Sequence, residues 1–343
     1  MKIAKYYNNK DVRLEDIEKP ELGPGEFLLK VMACGICGSD VMEWYRIKKA
    51  PLVLGHEATG VIDQIAEEVK DFKKGDRVFV SHHVPCNECH YCLNGHHTAC
   101  QMLHTTNFYP GGFSEYVRVP RINVSRGTFL LPESVNFDQG TFIEPLACVV
   151  RGQREANFKS GQSVLILGAG ISGILHLLLA KASGAAKVFL TDISQSRLNL
   201  AQKFGADLSI NAASDIKESL LKANDNRLAD LVIVCTSALS AFNQALELVD
   251  RGGTILCFAP TEPGVKLEVP INDFWRNGIK IAHSYGSSPI DTSQAIELIS
   301  QGALNLDKMI THRLNLEDTA LGFNLVSQGK DSLKVIIQPH KSN

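Results

Sequence analysis

The alternation of apolar and polar positions divides the chain into two parts with different textures. In the first part, residues 26–33, 59–65 and 76–80 form short apolar runs separated by glycine-containing turns, which is typical of β-strands. The glycines at 111–112 lead into another run of this kind, which extends to residue 119. These runs predict a small, barrel-like β domain.

From residue 163 the pattern becomes strand, glycine turn and helix, repeated along the chain. Residues 163–167 predict a buried strand, and the apolar spacing over 174–182 predicts the helix that follows it. Helical segments separate further predicted strands at 187–191, 230–235, 253–258 and 279–284. Strands that alternate with helices at this spacing are typical of a parallel, doubly wound α/β sheet.

The length of 343 residues favours two domains, because a single core rarely grows beyond about 250 residues. We place the β-rich domain at 1–149, the α/β domain at 150–285 and a C-terminal segment at 286–343. That segment carries one predicted helix, 291–301, and one strand, 334–338. It is too short to form its own core, so we expect it to pack onto the first domain.

The composition narrows the class of protein. Hydrophobic residues make up 44% and charged residues 21%, as in ordinary globular proteins. The net charge of −2 gives no reason to expect nucleic acid or an anionic membrane as a partner. No apolar run reaches roughly 18 residues, and the first residues lack the apolar core of a signal peptide. We therefore expect a cytoplasmic protein without a membrane partner.

A glycine-rich loop joins the first strand and helix of the α/β domain. Gly168 permits the tight turn, Gly170 lets the backbone approach a pyrophosphate, and Gly173 lets the helix lie close to the strand. Ile171 and Ser172 complete the loop at the start of the helix, where backbone amides bind phosphate. The spacing predicts a dinucleotide site.

An acidic residue strengthens this prediction and selects the cofactor. Asp192 ends the next strand, about 20 residues beyond the loop, where a carboxylate binds the ribose 2′-hydroxyl. Because it would repel a 2′-phosphate, NAD is favoured over NADP. Arg197 lies nearby, and an arginine in such a place can accommodate that phosphate.

Candidate metal ligands occur in the first domain. A cysteine between two glycines is followed by a Gly-His-Glu segment and, much later, by a Glu-Pro pair. Zinc accepts sulfur, nitrogen and oxygen ligands, and a catalytic zinc keeps one position open. The candidate ligands are Cys37, His56, Glu57 and Glu144.

A second group of cysteines predicts a closed metal site in a lobe at about 82–102. The four are Cys86, Cys89, Cys92 and Cys100, whose spacing suits a tetrahedral structural zinc. Iron–sulfur clusters use other spacings, usually with proline after the last cysteine, but Gln101 follows here. A nucleic-acid-binding zinc module needs basic residues, and no Lys or Arg occurs over 78–117.

The order of these motifs, over nearly the whole chain, resembles the zinc-dependent medium-chain alcohol and polyol dehydrogenases. Residues 142–147, Phe-Ile-Glu-Pro-Leu-Ala, are similar to the Glu-Pro-Leu segment of the branch that includes sorbitol, butanediol and threonine dehydrogenases. The resemblance implies a GroES-like β-rich catalytic domain, a Rossmann domain, two zinc ions, NAD and a dimer or tetramer of identical chains.

The resemblance also implies roles for individual residues. Cys37 and His56 would bind the catalytic zinc, Glu57 would bind it in some states, and Glu144 would bind it directly or through a water molecule. In this family zinc lowers the pKa of the substrate alcohol, and NAD accepts the hydride.

Two further residues have roles by the same resemblance. Asp40 would accept a hydrogen bond from the His56 ring, and Ser39 would contact the substrate hydroxyl and pass its proton outward. Many relatives carry a relay histidine shortly after this motif, whereas residues 41–43 are Val-Met-Glu here.

The substrate pocket is less defined by the sequence. Sorbitol dehydrogenases carry an Arg-Tyr pair for polyol hydroxyls, but the matching residues here are Ser284 and Tyr285, which argues against sorbitol itself. Trp44, Phe108 and Tyr285 are candidates for the pocket wall, with packing in the core as the alternative.

Three hypotheses for function follow. The first is hydride transfer to NAD from a secondary alcohol of a polyol, sugar acid or polyol phosphate. The second is oxidation of threonine or a short vicinal diol. The third is a catalytically idle NAD-binding protein, against which the intact set of candidate zinc ligands argues.

Overall fold

The computed structural model describes residues 1–329 and 332–341. The strands, in chain order, are β1 (Lys2–Asn8), β2 (Asp11–Asp16), β3 (Phe27–Gly35), β4 (Leu52–Val53), β5 (Glu57–Ile65), β6 (Arg77–Val80), β7 (Tyr116–Val119), β8 (Thr128–Leu130), β9 (Ser163–Leu167), β10 (Lys187–Asp192), β11 (Leu208–Asn211), β12 (Ala229–Val234), β13 (Val249–Cys257), β14 (Lys280–His283), β15 (Ile310–Leu314) and β16 (Lys334–Ile337).

Helices connect most of these strands. They are α1 (Glu43–Arg46), α2 (His90–Leu93), α3 (Gln101–Thr105), α4 (Arg121–Gly127), α5 (Phe137–Gly140), α6 (Ile143–Glu155), α7 (Ile171–Ala182), α8 (Gln195–Lys203), α9 (Ile216–Ala223), α10 (Leu239–Leu248), α11 (Ile271–Asn277), α12 (Pro289–Ser300) and α13 (Thr319–Gln328). No helix among the described residues is long and apolar enough to cross a lipid bilayer.

The chain divides into two units. The first comprises residues 1–147 and 287–343, and the second comprises residues 148–286. The sequence-based boundaries, after 149 and after 285, differ from these divisions by two residues and by one. The first division falls inside α6, a helix that runs across the boundary without a break.

The first unit is built on a sheet with the order β15-β16-β3-β5-β6-β8, in which β7 also pairs with β3. A smaller sheet has the order β2-β1-β4. β3 is antiparallel to its neighbours β5, β7 and β16. Its side chains are mostly buried and join the rings of Phe113 and Phe323 in one core.

The second unit has a six-stranded parallel sheet in the order β11-β10-β9-β12-β13-β14. β9 is buried throughout, as expected of a central strand with helices on both faces. The order is that of a Rossmann sheet, in which ligands bind at the carboxyl ends of the strands where the order reverses. The prediction of a doubly wound α/β domain is confirmed.

The prediction for the C-terminal segment was wrong in part. It gave one helix and one strand, but β15 and α13 are also present. β15 is an edge strand in which two of the five residues are exposed and none is fully buried, so it shows no apolar run. α13 contains Gly322, which weakens a helix prediction. A Cβ there would lie 2.6 Å from Ile36 Cδ1, so close packing explains the glycine.

Strands were missed elsewhere as well. The sequence analysis did not predict the β1–β2 hairpin or the edge strand β11. β2 and β11 contain polar residues such as Arg13 and Ser209, which interrupt the apolar runs on which the strand predictions depended.

Candidate active site

A candidate metal centre lies where β3 ends and β5 begins. The two strands pair with Gly35 opposite Glu57, so Cys37, just beyond β3, comes close to His56, just before β5. Ligand atoms of Cys37, His56 and Glu57 lie within 4.8 Å of one another. Sulfur, nitrogen and oxygen donors gathered in this way suit zinc.

The buried carboxylate of Asp40 orients the histidine of this group. It accepts a hydrogen bond from the Cys37 backbone N–H at 3.0 Å and lies 3.3 Å from His56 Nδ1 and 3.4 Å from an Arg46 nitrogen. Burial raises the pKa of Asp40, but His56, Arg46 and the Cys37 N–H outweigh it, and the pKa is lowered. Since Nδ1 faces Asp40, Nε2 of His56 is the atom left for a metal.

The charges around His56 favour a cation. Burial lowers the pKa of His56, but the neighbouring Asp40 and Cys37 outweigh it and raise the pKa well above its usual value. A metal ion satisfies the same need for positive charge without a proton. The group therefore fits zinc in charge as well as in donor type.

Glu57 has a partner that the sequence analysis missed. Lys334, at the start of β16, is fully buried and forms an ion pair with Glu57. Its Nζ also donates to the Thr141 carbonyl at 3.0 Å and lies 4.8 Å from the centre of the Phe142 ring. A side chain on Gly35 would collide with both members of the pair. The only signal in the sequence was a single lysine at the start of an apolar strand.

Glu144 lies in the first turn of α6 and is half-buried. The ligand atoms within 4.8 Å of one another come from Cys37, His56 and Glu57, not from Glu144. Its part in metal binding remains a prediction.

Ser39 lies in the 3-10 turn Gly38–Val41, directly after the cysteine ligand. Arg46, which the sequence analysis also missed, donates from Nε to the Ser39 carbonyl at 2.9 Å and from a terminal nitrogen to Ser39 Oγ at 3.0 Å. The Ser39 N–H points to Cys37 Sγ at 3.4 Å. The serine hydroxyl is therefore held beside the candidate metal centre by a cation.

Two histidines after β6 extend the site. The His82 ring centroid lies 4.7 Å from that of His56 and 3.9 Å from that of His83. His83 Nδ1 lies 2.9 Å from the Thr106 carbonyl. Both histidines lie at the start of the lobe predicted at about 82–102, and only the fold shows that His82 lies against His56.

The four cysteines of the lobe form a second cluster. Their sulfur atoms lie within 4.8 Å of one another. Burial and contacts with Cys89 and Cys100 raise the pKa of Cys92 to about 12. At Cys100, hydrogen bonds, including the Cys86 backbone N–H, outweigh burial and lower the pKa to about 6. One divalent cation would stabilise all four as thiolates, so the cluster fits a closed zinc site.

The glycine loop has the geometry expected for a dinucleotide. Gly168 has a φ of +107°, a region that favours glycine, and a Cβ on Gly173 would collide with the Gly168 carbonyl. Gly170 immediately precedes α7, whose first residues are Ile171 and Ser172. The N-terminal amides of α7 are thus available to a pyrophosphate.

Asp192 connects this loop to the end of β10. Its Oδ2 accepts a hydrogen bond from the Ala169 N–H and its Oδ1 from the Ser194 N–H, both at 2.9 Å. Arg197 lies 3.8 Å from Asp192 Oδ2. The acid and the arginine are therefore side by side at the place where a ribose is expected.

The three candidates for the pocket wall have different surroundings. Trp44 is half-buried in α1, with its ring 5.8 Å from that of Tyr45. Phe108 is buried in the core of the first unit, and its ring centroid lies 6.4 Å from that of His82. Tyr285 belongs to the second unit and is 53% exposed.

Comparisons with known proteins identify the family. The profile "Alcohol dehydrogenase GroES-like domain" matches residues 23–130, and the profile "Zinc-binding dehydrogenase" matches residues 173–301. Mouse sorbitol dehydrogenase is 34% identical over 340 residues, which cover 96% of this chain and 93% of that protein.

Solved structures agree with this assignment. Galactitol-1-phosphate dehydrogenase from Escherichia coli is 28% identical, with a TM-score of 0.86 over 99% of this chain and 100% of that one. A zinc-binding dehydrogenase from Sinorhizobium meliloti bound to NADP is 28% identical, with a TM-score of 0.87 over 98% of this chain and 99% of that one.

The chain belongs to the zinc-dependent medium-chain alcohol and polyol dehydrogenases. The resemblance predicted from the motifs is confirmed, and so is the combination of a GroES-like and a Rossmann domain. The protein is an oxidoreductase that acts on CH–OH groups, with zinc and a nicotinamide dinucleotide as cofactors. The idle-protein hypothesis is accordingly wrong.

The buried ion pair leads to a stability prediction. Replacing Lys334 by Met leaves the Glu57 carboxylate buried without its cation, which typically costs about 3–5 kcal/mol. We expect Lys334→Met to lower the free energy of unfolding by this amount, as measured by denaturant titration of the purified protein.

The matched control is the double variant Lys334→Met with Glu57→Gln. It removes both charges, so it should recover a large part of the loss. A single variant as stable as the wild type would contradict the assigned role of the pair.

Proposed function

We propose that this dehydrogenase oxidises a secondary alcohol of a polyol, sugar acid or polyol phosphate, with NAD as the hydride acceptor. The proposal rests mainly on one observation. Ligand atoms of Cys37, His56 and Glu57 lie within 4.8 Å of one another, and Ser39 is in contact with Cys37. Similarity to a sorbitol dehydrogenase and a galactitol-1-phosphate dehydrogenase supports the substrate class.

Cys37 and His56 are the proposed permanent ligands of the catalytic zinc, with Glu144 as a further ligand directly or through water. Glu57 is held by Lys334, so we assign it to the metal only in some states. Zinc, when bound, polarises the substrate alcohol and lowers its pKa, and NAD supplies the site that accepts hydride.

The proposed proton route begins at Ser39. Its Oγ accepts a hydrogen bond from Arg46, which leaves the hydroxyl hydrogen and a second lone pair for other partners. The hydroxyl can therefore take a proton from the substrate while releasing its own outward. Met42 stands in the segment where relatives carry a relay histidine, so the next acceptor is water or a ribose hydroxyl.

Asp192 supports NAD as the preferred cofactor. Two backbone N–H groups fix its carboxylate at the end of β10, where a 2′-phosphate would meet a negative charge. Arg197 lies close enough to offset part of that repulsion, and the Sinorhizobium relative binds NADP. We therefore propose a preference for NAD rather than strict exclusion of NADP.

We also propose a cytoplasmic homo-oligomer, a dimer or tetramer. None of the nine cysteines, all of which lie among the described residues, forms a disulfide, which suits a reducing compartment. In the second unit, β14 is an edge strand, and Trp275 and Ile271 on the preceding helix are 77% and 73% exposed. An open strand edge beside large exposed apolar side chains is a surface that a second copy can cover.

The reaction class is tested by NAD reduction across polyols, polyol phosphates, sugar acids, threonine and vicinal diols, with and without a chelator. We expect one group of substrates to give a clearly higher rate of NAD reduction than the others, and the chelator to abolish that rate.

Cys37→Ser should lower kcat by at least about 10³-fold, because it removes a ligand of the metal on which the reaction depends. NAD binding, measured by titration calorimetry, should change by less than about threefold, since the dinucleotide loop is untouched.

Wild-type turnover in Cys37→Ser would show that the catalytic zinc site has been assigned to the wrong residues. If protein with two zinc ions per chain reduced NAD with none of the substrates in the panel, the proposed substrate class would be wrong.

Cofactor preference is tested at the ribose. Asp192→Ala removes the charge that repels a 2′-phosphate, so the ratio of kcat/KM for NAD to that for NADP should fall by about tenfold or more. Asp192→Asn, which keeps one hydrogen-bond acceptor without the charge, separates electrostatics from loop distortion. An unchanged ratio in both variants would exclude Asp192 from cofactor selection.

A further inference from the structure

His82 occupies an unusual position beside the candidate metal centre. Its ring lies between those of His56 and His83, with centroid distances of 4.7 and 3.9 Å. Phe108 approaches it edge-on, at a centroid distance of 6.4 Å. The ring is thus held on three sides by other rings, one of which belongs to a proposed zinc ligand.

The two nitrogens of His82 differ in their surroundings. Nδ1 is buried and has no hydrogen-bond partner among the described residues. Nε2 also lacks a hydrogen-bond partner among the described residues. Unlike Nδ1, it is not buried, so it reaches solvent. The neighbouring His83 shows the usual arrangement, with its Nδ1 at 2.9 Å from a backbone carbonyl.

This difference selects the tautomer of His82. A buried N–H without an acceptor is rarer in proteins than a buried lone pair without a donor. The proton of the neutral ring is therefore at Nε2, the nitrogen that faces solvent. A protonated ring would also carry a hydrogen there, so Nε2 is a hydrogen-bond donor in either charge state.

We infer that His82 binds a second oxygen of the substrate through Nε2–H, on the carbon next to the reacting carbon. This inference rests on the proposed function, because the reacting oxygen is placed at the group formed by Cys37 and His56. The short distance between the His56 and His82 rings is one that two oxygens on neighbouring carbons can bridge. His82 then makes the enzyme selective for vicinal polyols and diols over alcohols with a single hydroxyl.

The test compares two probes that differ by one hydroxyl, butane-2,3-diol and butan-2-ol, and repeats the comparison with the best polyol of the panel and its deoxy analogue. His82→Ala should lower kcat/KM for the vicinal substrate by about 10- to 100-fold and change it for the single alcohol by less than about threefold. The reason is that removing the Nε2–H donor costs a hydrogen bond only with substrates that carry the second oxygen.

Two matched variants locate the nitrogen that acts. The amide nitrogen of Gln reaches the place of Nε2, whereas that of Asn reaches only the place of Nδ1. His82→Gln should retain a large part of the preference for the vicinal substrate, and His82→Asn should behave like His82→Ala.

Zinc content provides a readout independent of turnover. Elemental analysis should give about two zinc ions per chain in all the variants, because His82 is not a ligand. Loss of one zinc, or an equal fall with both kinds of substrate, would mean that His82 supports His56 instead and would overturn the inference. An unchanged preference in His82→Ala would also overturn it. Wild-type protein inactive with every alcohol would instead refute the proposed function, on which this inference depends.

Discussion

The buried ion pair between Glu57 and Lys334 holds several elements of the first unit together. It joins β5 to β16 across β3, and Gly35 on β3 leaves the space that the pair occupies. Lys334 also binds the Thr141 carbonyl just before α6, the helix that carries Glu144. Removing two charges from water is costly unless they are paired and hydrogen-bonded. The pair therefore fixes the positions of the elements that carry its members.

The same arrangement explains why the candidate metal centre forms. The antiparallel register of β3 and β5 brings Cys37 to His56, and Asp40 holds the ring of that histidine. The centre therefore gathers a thiol, an imidazole and two carboxylates, and both carboxylates are buried. Arg46 pairs with Asp40 and Lys334 pairs with Glu57, and a zinc ion bound by Cys37 and His56 would add further positive charge. The fold thus holds Cys37 and His56 in place without a contribution from the substrate.

Local patterns in the sequence predicted a large share of the fold and of the site. The glycine loop before α7 and the four-cysteine lobe each lie within a short stretch, so their spacing indicated a dinucleotide site and a metal site. The roles within the Cys-Gly-Ser-Asp segment were predicted from the family resemblance. The Rossmann strands were predicted because buried parallel strands are continuous apolar runs. Edge strands β11 and β15 were missed because their exposed faces are polar.

Contacts between distant parts of the chain were not predictable in this way. Lys334 lies 277 residues from Glu57, and no spacing rule connects the two. His82 lies next to the cysteine lobe in sequence, but its ring packs on His56 in space. Arg46 was not singled out in the sequence, and only the fold shows that it donates to Ser39. In each case the role is set by topology, which a single sequence does not specify.

We expect the protein to bind two zinc ions at separate sites, one closed by four cysteines and one at Cys37 and His56. X-ray absorption at the zinc edge of the purified protein tests it most directly, because the spectrum counts sulfur ligands per metal. The expected result is two zinc ions per chain with five sulfur ligands in total, four at the closed site and one from Cys37 at the other. A single zinc with four sulfur ligands in active protein would contradict it.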